Sequence, residues 1–254
     1  MKTPVRDTFK SKSCDFLQEL FPPASKINFF NLYGGFLELS MAEKDRIVVA
    51  NTNRYVIYEF WKCALEDPGR IAEIVEFFRS RDLIHSHSIA ILQKNWAFYE
   101  DPFVRAALFF LLNNYSREGT VSTGTISESH FSPFSVSALK YVKAENLYVN
   151  FYDKLDILNF SFDELKTDAT VFSIGSFSYN LFEHGTYAGL EEVKINHQQM
   201  RSFLNRSPHK TVFLYEMHAA LPKFYKDHNP TYLDVYGRQT TDLEKAREVV
   251  IANF

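Results

Sequence analysis

The feature that most constrains the fold is the alternation of short apolar runs with helical spacing in the first 67 residues. The apolar run 27–32 leads into the turn Tyr33-Gly34-Gly35, and the β-branched run 46–50 precedes a segment with apolar residues at helical spacing. Short β-branched runs favour buried strands, and three-to-four-residue apolar spacing favours a helix. The order strand, turn, helix, strand, helix predicts the opening of an α/β nucleotide-binding fold.

The rest of the chain divides into a helical block and a return to strands. Residues 68–131 carry helical spacing and end in a stretch, 115–134, whose Ser, Thr and Gly content predicts an exposed loop. We therefore expect a core formed by residues 1–67 and 132–254, interrupted by a helical insertion at 68–131. Helices are predicted at 8–20, 71–78, 89–97, 102–113 and 197–204, and later strands at 147–151, 170–174, 210–215, 232–236 and 248–253, the last two as a closing antiparallel pair.

Composition narrows the class of protein. The 254 residues include 25 Phe and 14 Tyr, which predicts an aromatic-rich core, and the net charge of -3 means that nucleic-acid contact would need a local basic patch. Two cysteines, Cys14 and Cys63, fit a reducing compartment. The polar N-terminus and the absence of an apolar run near roughly 20 residues predict a soluble, cytoplasmic protein without membrane contact.

Several segments, in the same order along the chain, resemble the Dam-type adenine-specific DNA methyltransferases of bacteria and phages. The resemblance covers nearly the whole length and implies a Rossmann-like methyltransferase sheet, with residues 68–131 corresponding to the target-recognition region. The similar segments are the leading helix Phe16–Pro22, the cofactor turn Phe29-Phe30-Asn31-Leu32-Tyr33-Gly34-Gly35, the second strand Val48–Asn53, the helix Arg105–Asn114 and the closing strand Arg247–Asn253.

The resemblance implies a site for S-adenosylmethionine in which two acidic residues are missing. Its cofactor-binding positions correspond to Asn31, Tyr33, Gly34, Gly35 and Thr52. The family carries Asp at the positions of Asn31 and Thr52, and a lost charge-assisted hydrogen bond costs about 1.5–3 kcal/mol. Phe36 also follows Gly35 where the family has a small residue. We therefore expect cofactor binding to be weakened or lost, and no cofactor to be needed.

The catalytic loop of the family, Asp/Asn-Pro-Pro-Tyr, aligns with Ser176, Phe177, Ser178 and Tyr179. Only the aromatic position is retained, and the segment 169–180 contains neither Asp nor Pro. This degenerate loop predicts a pseudo-methyltransferase that acts as a binding or scaffold protein. Because the resembled family occurs in phages, a phage-encoded protein in the host cytoplasm is one form of this prediction. Two alternatives stay open: a divergent, active methyltransferase that uses S-adenosylmethionine, and a structural or assembly protein.

The sequence also gives candidate residues for contact with a partner, and it gives no pattern typical of a metal site. By position in the resemblance, Lys10, Lys12, Arg105, Tyr115 and Arg117 are candidates for contact with DNA, although basic residues of this kind also form ordinary solvated helix faces. A protein partner or self-association is the alternative. No metal site is predicted, because no cysteine or carboxylate cluster flanks the pair His85-Ser-His87.

Overall fold

A computed structural model describes residues 3–7, 9–80, 86–117, 119, 121, 125–152, 167–177, 180–182, 191–193 and 196–254. Within them the chain forms a mixed α/β structure around a seven-stranded sheet. The strands are β1 (Lys26–Phe30), β2 (Ile47–Thr52), β3 (Leu147–Phe151), β4 (Ala169–Gly175), β5 (Asn180–Phe182), β6 (Glu191–Val193), β7 (Lys210–Glu216), β8 (Thr231–Leu233) and β9 (Glu248–Ala252). The helices are α1 (Cys14–Leu20), α2 (Phe36–Ala42), α3 (Tyr55–Glu66), α4 (Pro68–Ser80), α5 (Ser86–Asn95), α6 (Pro102–Tyr115), α7 (Pro133–Lys140), α8 (His197–Arg206) and α9 (Leu221–Phe224).

The sheet has the strand order β3-β2-β1-β4-β7-β9-β8, and β5 pairs separately with β6. Strands β1, β2, β3, β4 and β7 are parallel, whereas β9 runs antiparallel between β7 and β8. The chain leaves β1 towards one side of the sheet and returns at β4 on the other, so their carboxyl ends flank a topological switch point. In α/β sheets this is where ligands bind.

The burial of the apolar sequence runs explains why they form strands and helices. The runs of β1 and β4 are almost fully buried, as expected of central parallel strands with helices on both faces. The helical block packs through α6 onto α3 and α4, and its residues Ile71 and Phe109 belong to the same buried cluster as Ile27 of β1. The predicted Rossmann-like α/β class is confirmed at this level, including the closing antiparallel pair.

Two local predictions were wrong. The helix predicted from residue 8 begins only at Cys14, because the preceding residues bond to distant parts of the chain. The stretch 115–134 is not wholly an exposed loop, since Tyr115 is buried at the end of α6.

No helix among the described residues is long and apolar enough to cross a membrane. The longest apolar run of the sequence lies within α6, which is amphipathic only weakly because it is buried almost all round. Its position between α3 and α4 accounts for that burial.

Candidate functional site

The candidate site begins where β1 ends. Asn31 has a φ of 68°, in the left-handed region that Asn tolerates better than most residues, and its Nδ2 donates to the Ser173 carbonyl of β4 at 3.0 Å. The amide group therefore ties the carboxyl ends of the two central strands together. A carboxylate at this position would face that carbonyl without a proton to offer.

The glycine turn after β1 is held by α3. The Trp61 indole N–H donates to the Tyr33 carbonyl at 2.9 Å, and the Tyr33 hydroxyl donates to the Gly119 carbonyl at 2.9 Å. Gly35 has a φ of 68°, and a Cβ placed there would lie 2.4 Å from the Trp61 ring. Packing against Trp61 is thus a sufficient reason for a glycine at this position.

A segment that we name the N-terminal strap, residues 3–7 and 9–12, lies against this turn. The Gly34 N–H donates to Asp7 Oδ2 at 2.8 Å, and the Thr3 hydroxyl donates to the Gly34 carbonyl. A Cβ on Gly175 would lie 3.5 Å from Phe9. The backbone N–H of a glycine turn is a group that nucleotide-binding folds offer to an anionic ligand, and here the chain's own Asp7 carboxylate accepts it.

Buried side chains from distant elements hold the strap. Asn113 of α6, which is fully buried, accepts the Arg6 N–H at 2.7 Å and donates to the Arg6 carbonyl at 3.0 Å. The neighbouring Asn114 donates to the Pro4 carbonyl at 3.0 Å. At the other end, the buried Glu248 carboxylate accepts from the Ser11 hydroxyl and from the Lys12 N–H. These contacts fix the strap as part of the folded core.

The cavity that remains beside the turn has a volume of about 40 Å³. Small-molecule sites usually have roughly 300–1,000 Å³, and a cavity needs about 10–15 Å³ to hold one water. The cavity therefore has room for a few water molecules but not for a cofactor the size of S-adenosylmethionine. It is lined by Asp7, Phe9, Ser11, Asn31, Tyr33, Gly35, Phe36, Leu37, Glu38, Ser173 and Ile174.

Two carboxyl groups line this cavity, at positions other than those implied by the resemblance. Burial raises the pKa of Glu38 to about 7, with the helix N–H lowering it and Asp7 raising it further. Burial lowers the pKa of the Arg54 guanidinium to about 9, against the opposing effect of Tyr33 and Asp7. Arg54 therefore stays positively charged at neutral pH and offsets the charge of Asp7, while Glu38 with its raised pKa ionises only near neutral pH and above.

In the segment predicted to correspond to the catalytic loop, Phe177 stacks on two imidazole rings. Phe177 stacks on His197 with 3.8 Å between ring centroids, and on His218 with 4.8 Å. The His197 Nε2–H donates to the Phe177 carbonyl, and His197 Nδ1 lies 3.4 Å from the Tyr215 hydroxyl. Ser176 follows β4 directly, as predicted, whereas Ser178 and Tyr179 lie outside the described residues.

The structure brings together most of the predicted cofactor positions. Asn31, Tyr33 and Gly35 line the small cavity, and Gly34 lies next to it against Asp7. Thr52 is separate from them: it is buried, does not line the cavity, and its hydroxyl accepts the Arg54 N–H at 3.1 Å.

The candidate DNA-contact residues differ in their exposure and in their partners. Arg105 donates from Nε to Glu59 at 2.7 Å and from Nη1 to the Glu100 carbonyl at 2.8 Å. Tyr115 is buried and stacks on Phe131 with 4.9 Å between centroids. The exposed candidates are Lys10 and Lys12 on the strap and Arg117 beyond α6. The rings of His85 and His87 lie outside the described part of the chain.

Sequence reasoning missed Asp7, Phe9, Glu38 and Arg54 as parts of the site. Asp7 and Phe9 fall in a stretch whose local pattern favours a helix, and their contacts with Gly34 and Gly175 join distant positions. The one available signal was Phe36, whose bulk beside Gly35 predicted a filled cavity. Its ring does line the small cavity.

The class defined by the fold and the site is a Rossmann-like α/β protein with a glycine turn at its switch point. Its turn is occupied by a segment of the same chain. No protein-family model and no curated protein matches the sequence.

Proposed function

We propose that the chain is a methyltransferase-like protein that does not transfer methyl groups and that acts as a binding or scaffold protein. The observation that carries this is the filling of the cofactor position: the strap and Phe36 leave about 40 Å³ beside the glycine turn. A site of this size excludes the cofactor by volume before any difference in charge is considered.

The sheet order supports the likeness to methyltransferases. With the β5–β6 hairpin set aside, the seven strands follow the order 3-2-1-4-5-7-6, and the last strand is reversed. Dinucleotide-binding sheets of the 3-2-1-4-5-6 type lack this inserted antiparallel strand. The reversed strand β9 is the segment that resembles the closing strand of the methyltransferase family.

The chemistry of the described residues supports the loss of methyl transfer. Asn31 and Thr52 have no carboxylate to offer a cofactor. The Asn31 amide donates to the Ser173 carbonyl, and the Thr52 hydroxyl accepts the N–H of Arg54 at the start of α3. Ser176, which aligns with the Asp or Asn acceptor of the family, offers only a neutral hydroxyl in place of a carboxylate or amide. The neighbouring Phe177 stacks on His197 and His218.

Calorimetry with S-adenosylmethionine tests this function and separates the two causes of lost binding. We compare the wild type with Asn31→Asp, which restores a charge, with Phe9→Ala/Phe36→Ala, which opens space, and with the triple variant that combines them. Phe134→Ala is the matched control, because Phe134 is 82% exposed. We expect no binding by the wild type, by Asn31→Asp or by the control, and measurable binding only in variants with space.

Methyl transfer is assayed in parallel with tritium-labelled cofactor and unmethylated DNA. We expect no label in the DNA from the wild type. Micromolar affinity of the wild type for the cofactor, or label transfer that Tyr179→Ala abolishes, would show instead that the chain is an active methyltransferase. Light scattering coupled to size-exclusion chromatography then measures whether the protein self-associates, as a scaffold protein would.

A further inference from the structure

A second, larger cavity lies beside the strap. It has a volume of about 400 Å³ and shares Asp7, Phe9, Ser11 and Phe36 with the small cavity, so the strap forms a wall between the two. This volume falls within the range of roughly 300–1,000 Å³ that is usual for small-molecule sites. The remaining lining residues are Thr3, Pro4, Val5, Arg6, Lys10, Lys12, Asn114 and Ser135.

Apolar groups form much of its wall. The rings of Phe9 and Phe36 are half-buried, so part of each remains open to a ligand, and Val5 and Pro4 add aliphatic surface. Asn114, the polar residue deepest in the wall, has its amide nitrogen committed to the Pro4 and Phe110 carbonyls. A ligand body placed here would therefore meet mainly carbon atoms.

The charged groups of the lining are mostly positive. The lining has one acidic residue, Asp7, and three basic residues, Arg6, Lys10 and Lys12. The Asp7 carboxylate is already hydrogen-bonded: its Oδ2 accepts the Gly34 N–H and its Oδ1 accepts the Phe9 N–H. The Arg6 guanidinium donates to the Ser116 and His130 carbonyls, so its orientation is set within the fold. Lys10 and Lys12 are exposed at the rim. The cavity is thus locally positive on a protein whose net charge is -3.

We propose that this cavity binds an amphipathic anion, with an aromatic or aliphatic body and one acidic head. The body would pack against Phe9 and Phe36, and the head would pair with the ammonium groups of Lys10 and Lys12. This binding activity goes beyond the scaffold function proposed above and does not depend on the state of the small cavity.

Fluorescence titration with 8-anilinonaphthalene-1-sulfonate, an aromatic probe with a single anionic head, tests the site. We expect saturable binding to one site. Lys10→Ala/Lys12→Ala should weaken it about tenfold, because each exposed ion pair contributes only modestly. Phe36→Ala should weaken it by a similar factor through loss of ring contact. Lys44→Ala/Lys94→Ala removes two exposed lysines from other surfaces and is expected to leave the affinity unchanged.

The uncharged analogue N-phenyl-1-naphthylamine separates the contributions of head and body. We expect it to bind more weakly than the sulfonate and to be insensitive to the two strap lysines, but sensitive to Phe36→Ala. Equal sulfonate binding by the wild type and the strap-lysine variant, with both showing the same circular dichroism and melting temperature, would overturn the site. Loss of binding equally in the Lys44/Lys94 control would overturn it as well. Binding of S-adenosylmethionine in the calorimetric test would leave these outcomes unchanged.

Discussion

The Phe177 ring lies parallel to the His197 imidazole, with 3.8 Å between their centroids and 14° between their planes. His218 also stacks on Phe177, with 4.8 Å between their centroids and 19° between their planes, so the phenyl ring contacts two imidazoles. The His197 Nε2–H also donates to the carbonyl of Phe177, which fixes the loop as well as the ring. At Phe177, the segment after β4 is therefore packed against side chains from α8 and from the residues that follow β7.

His197 should make stability fall in mild acid. Burial lowers its pKa below the ordinary 6.5, against the bond to the Phe177 carbonyl, and His218 lowers it further. Well above pH 6.5, His197 is neutral in both the folded and the unfolded chain. As the pH falls, His197 binds a proton in the unfolded chain first, so the free energy of unfolding decreases. His197→Phe keeps a stacked ring without titrating and should lose less stability between about pH 7.5 and pH 5.5.

Thermal unfolding across that pH range measures the difference, and the imidazole resonance of His197 reports its pKa directly. His228, whose pKa burial also lowers, is unchanged in both proteins and serves as an internal reference. Identical pH profiles for the wild type and His197→Phe would contradict the assignment to His197.

Most of the sheet could be predicted because its signals are local. The runs that became β1, β4 and β7 are mostly apolar and β-branched or aromatic, which suits central parallel strands, and their order along the chain then restricts the topology. The pairing of β8 with β9 was also accessible, because the two lie near each other in the sequence.

The contents of the site could not be predicted, because they depend on contacts between distant positions. Asn113 and Arg6 are separated by 107 residues, and Ser11 and Glu248 by 237. A local helical pattern at 8–20 gave no indication that residues before Cys14 would instead cross the glycine turn. The ion pair of Arg105 could not be predicted for the same reason: its partner Glu59 lies 46 residues away on another helix.

Glu38 should have the opposite effect on stability to that of His197. Because burial raises its pKa to about 7 from 4.5, the folded state retains the proton longer than the unfolded state. The free energy of unfolding contributed by Glu38 therefore falls as pH rises from 4.5 to about 7 and stays low above it. Glu38→Gln, which is uncharged at every pH, should be more stable than the wild type near pH 8 by on the order of 2–3 kcal/mol.

Urea unfolding of Glu38→Gln and wild type near pH 8 and near pH 4.5 checks this dependence. The two proteins should differ little at the lower pH, where both side chains are neutral. Glu43→Gln, on an exposed residue just after α2, is the matched control and should show no comparable gain. A stability difference between Glu38→Gln and wild type that is the same at both pH values would contradict the buried-carboxyl explanation.

The Glu59–Arg105 pair should stabilise the contact between α3 and α6 rather than bind a partner. The Glu59 side chain is 8% exposed and that of Arg105 19%, and Arg105 Nε donates to Glu59 Oε2 at 2.7 Å. Arg105→Met leaves a buried carboxylate unpaired and should cost about 3–5 kcal/mol in unfolding free energy. Glu59→Leu/Arg105→Met removes both charges and should recover most of that loss.

Chemical denaturation of the two variants and the wild type measures these costs, with Arg117→Met, on an exposed arginine, as control. A cost for Arg105→Met no larger than that for Arg117→Met would show that Arg105 has no structural role. That result would favour the predicted contact of Arg105 with DNA instead.

Gly35 should be required by packing and backbone conformation, whether or not a cofactor ever binds. Its φ of 68° strains any residue with a side chain, and an added Cβ would lie 2.4 Å from the Trp61 ring. Gly35→Ala should therefore cost about 2–5 kcal/mol in unfolding free energy, the sum of left-handed strain and overpacking.

Gly69→Ala, within α4, is the matched control. The nearest atom to its added Cβ is an Asp67 carboxylate oxygen at 3.3 Å, and the higher helix propensity of Ala should keep the change within about 1 kcal/mol. Urea denaturation compares the two, and Gly35→Ala combined with Trp61→Leu should show a coupling energy because the smaller side chain relieves the overlap. Equal stability of Gly35→Ala and wild type would mean that Trp61 does not restrict the turn, and that the glycine serves some purpose other than packing.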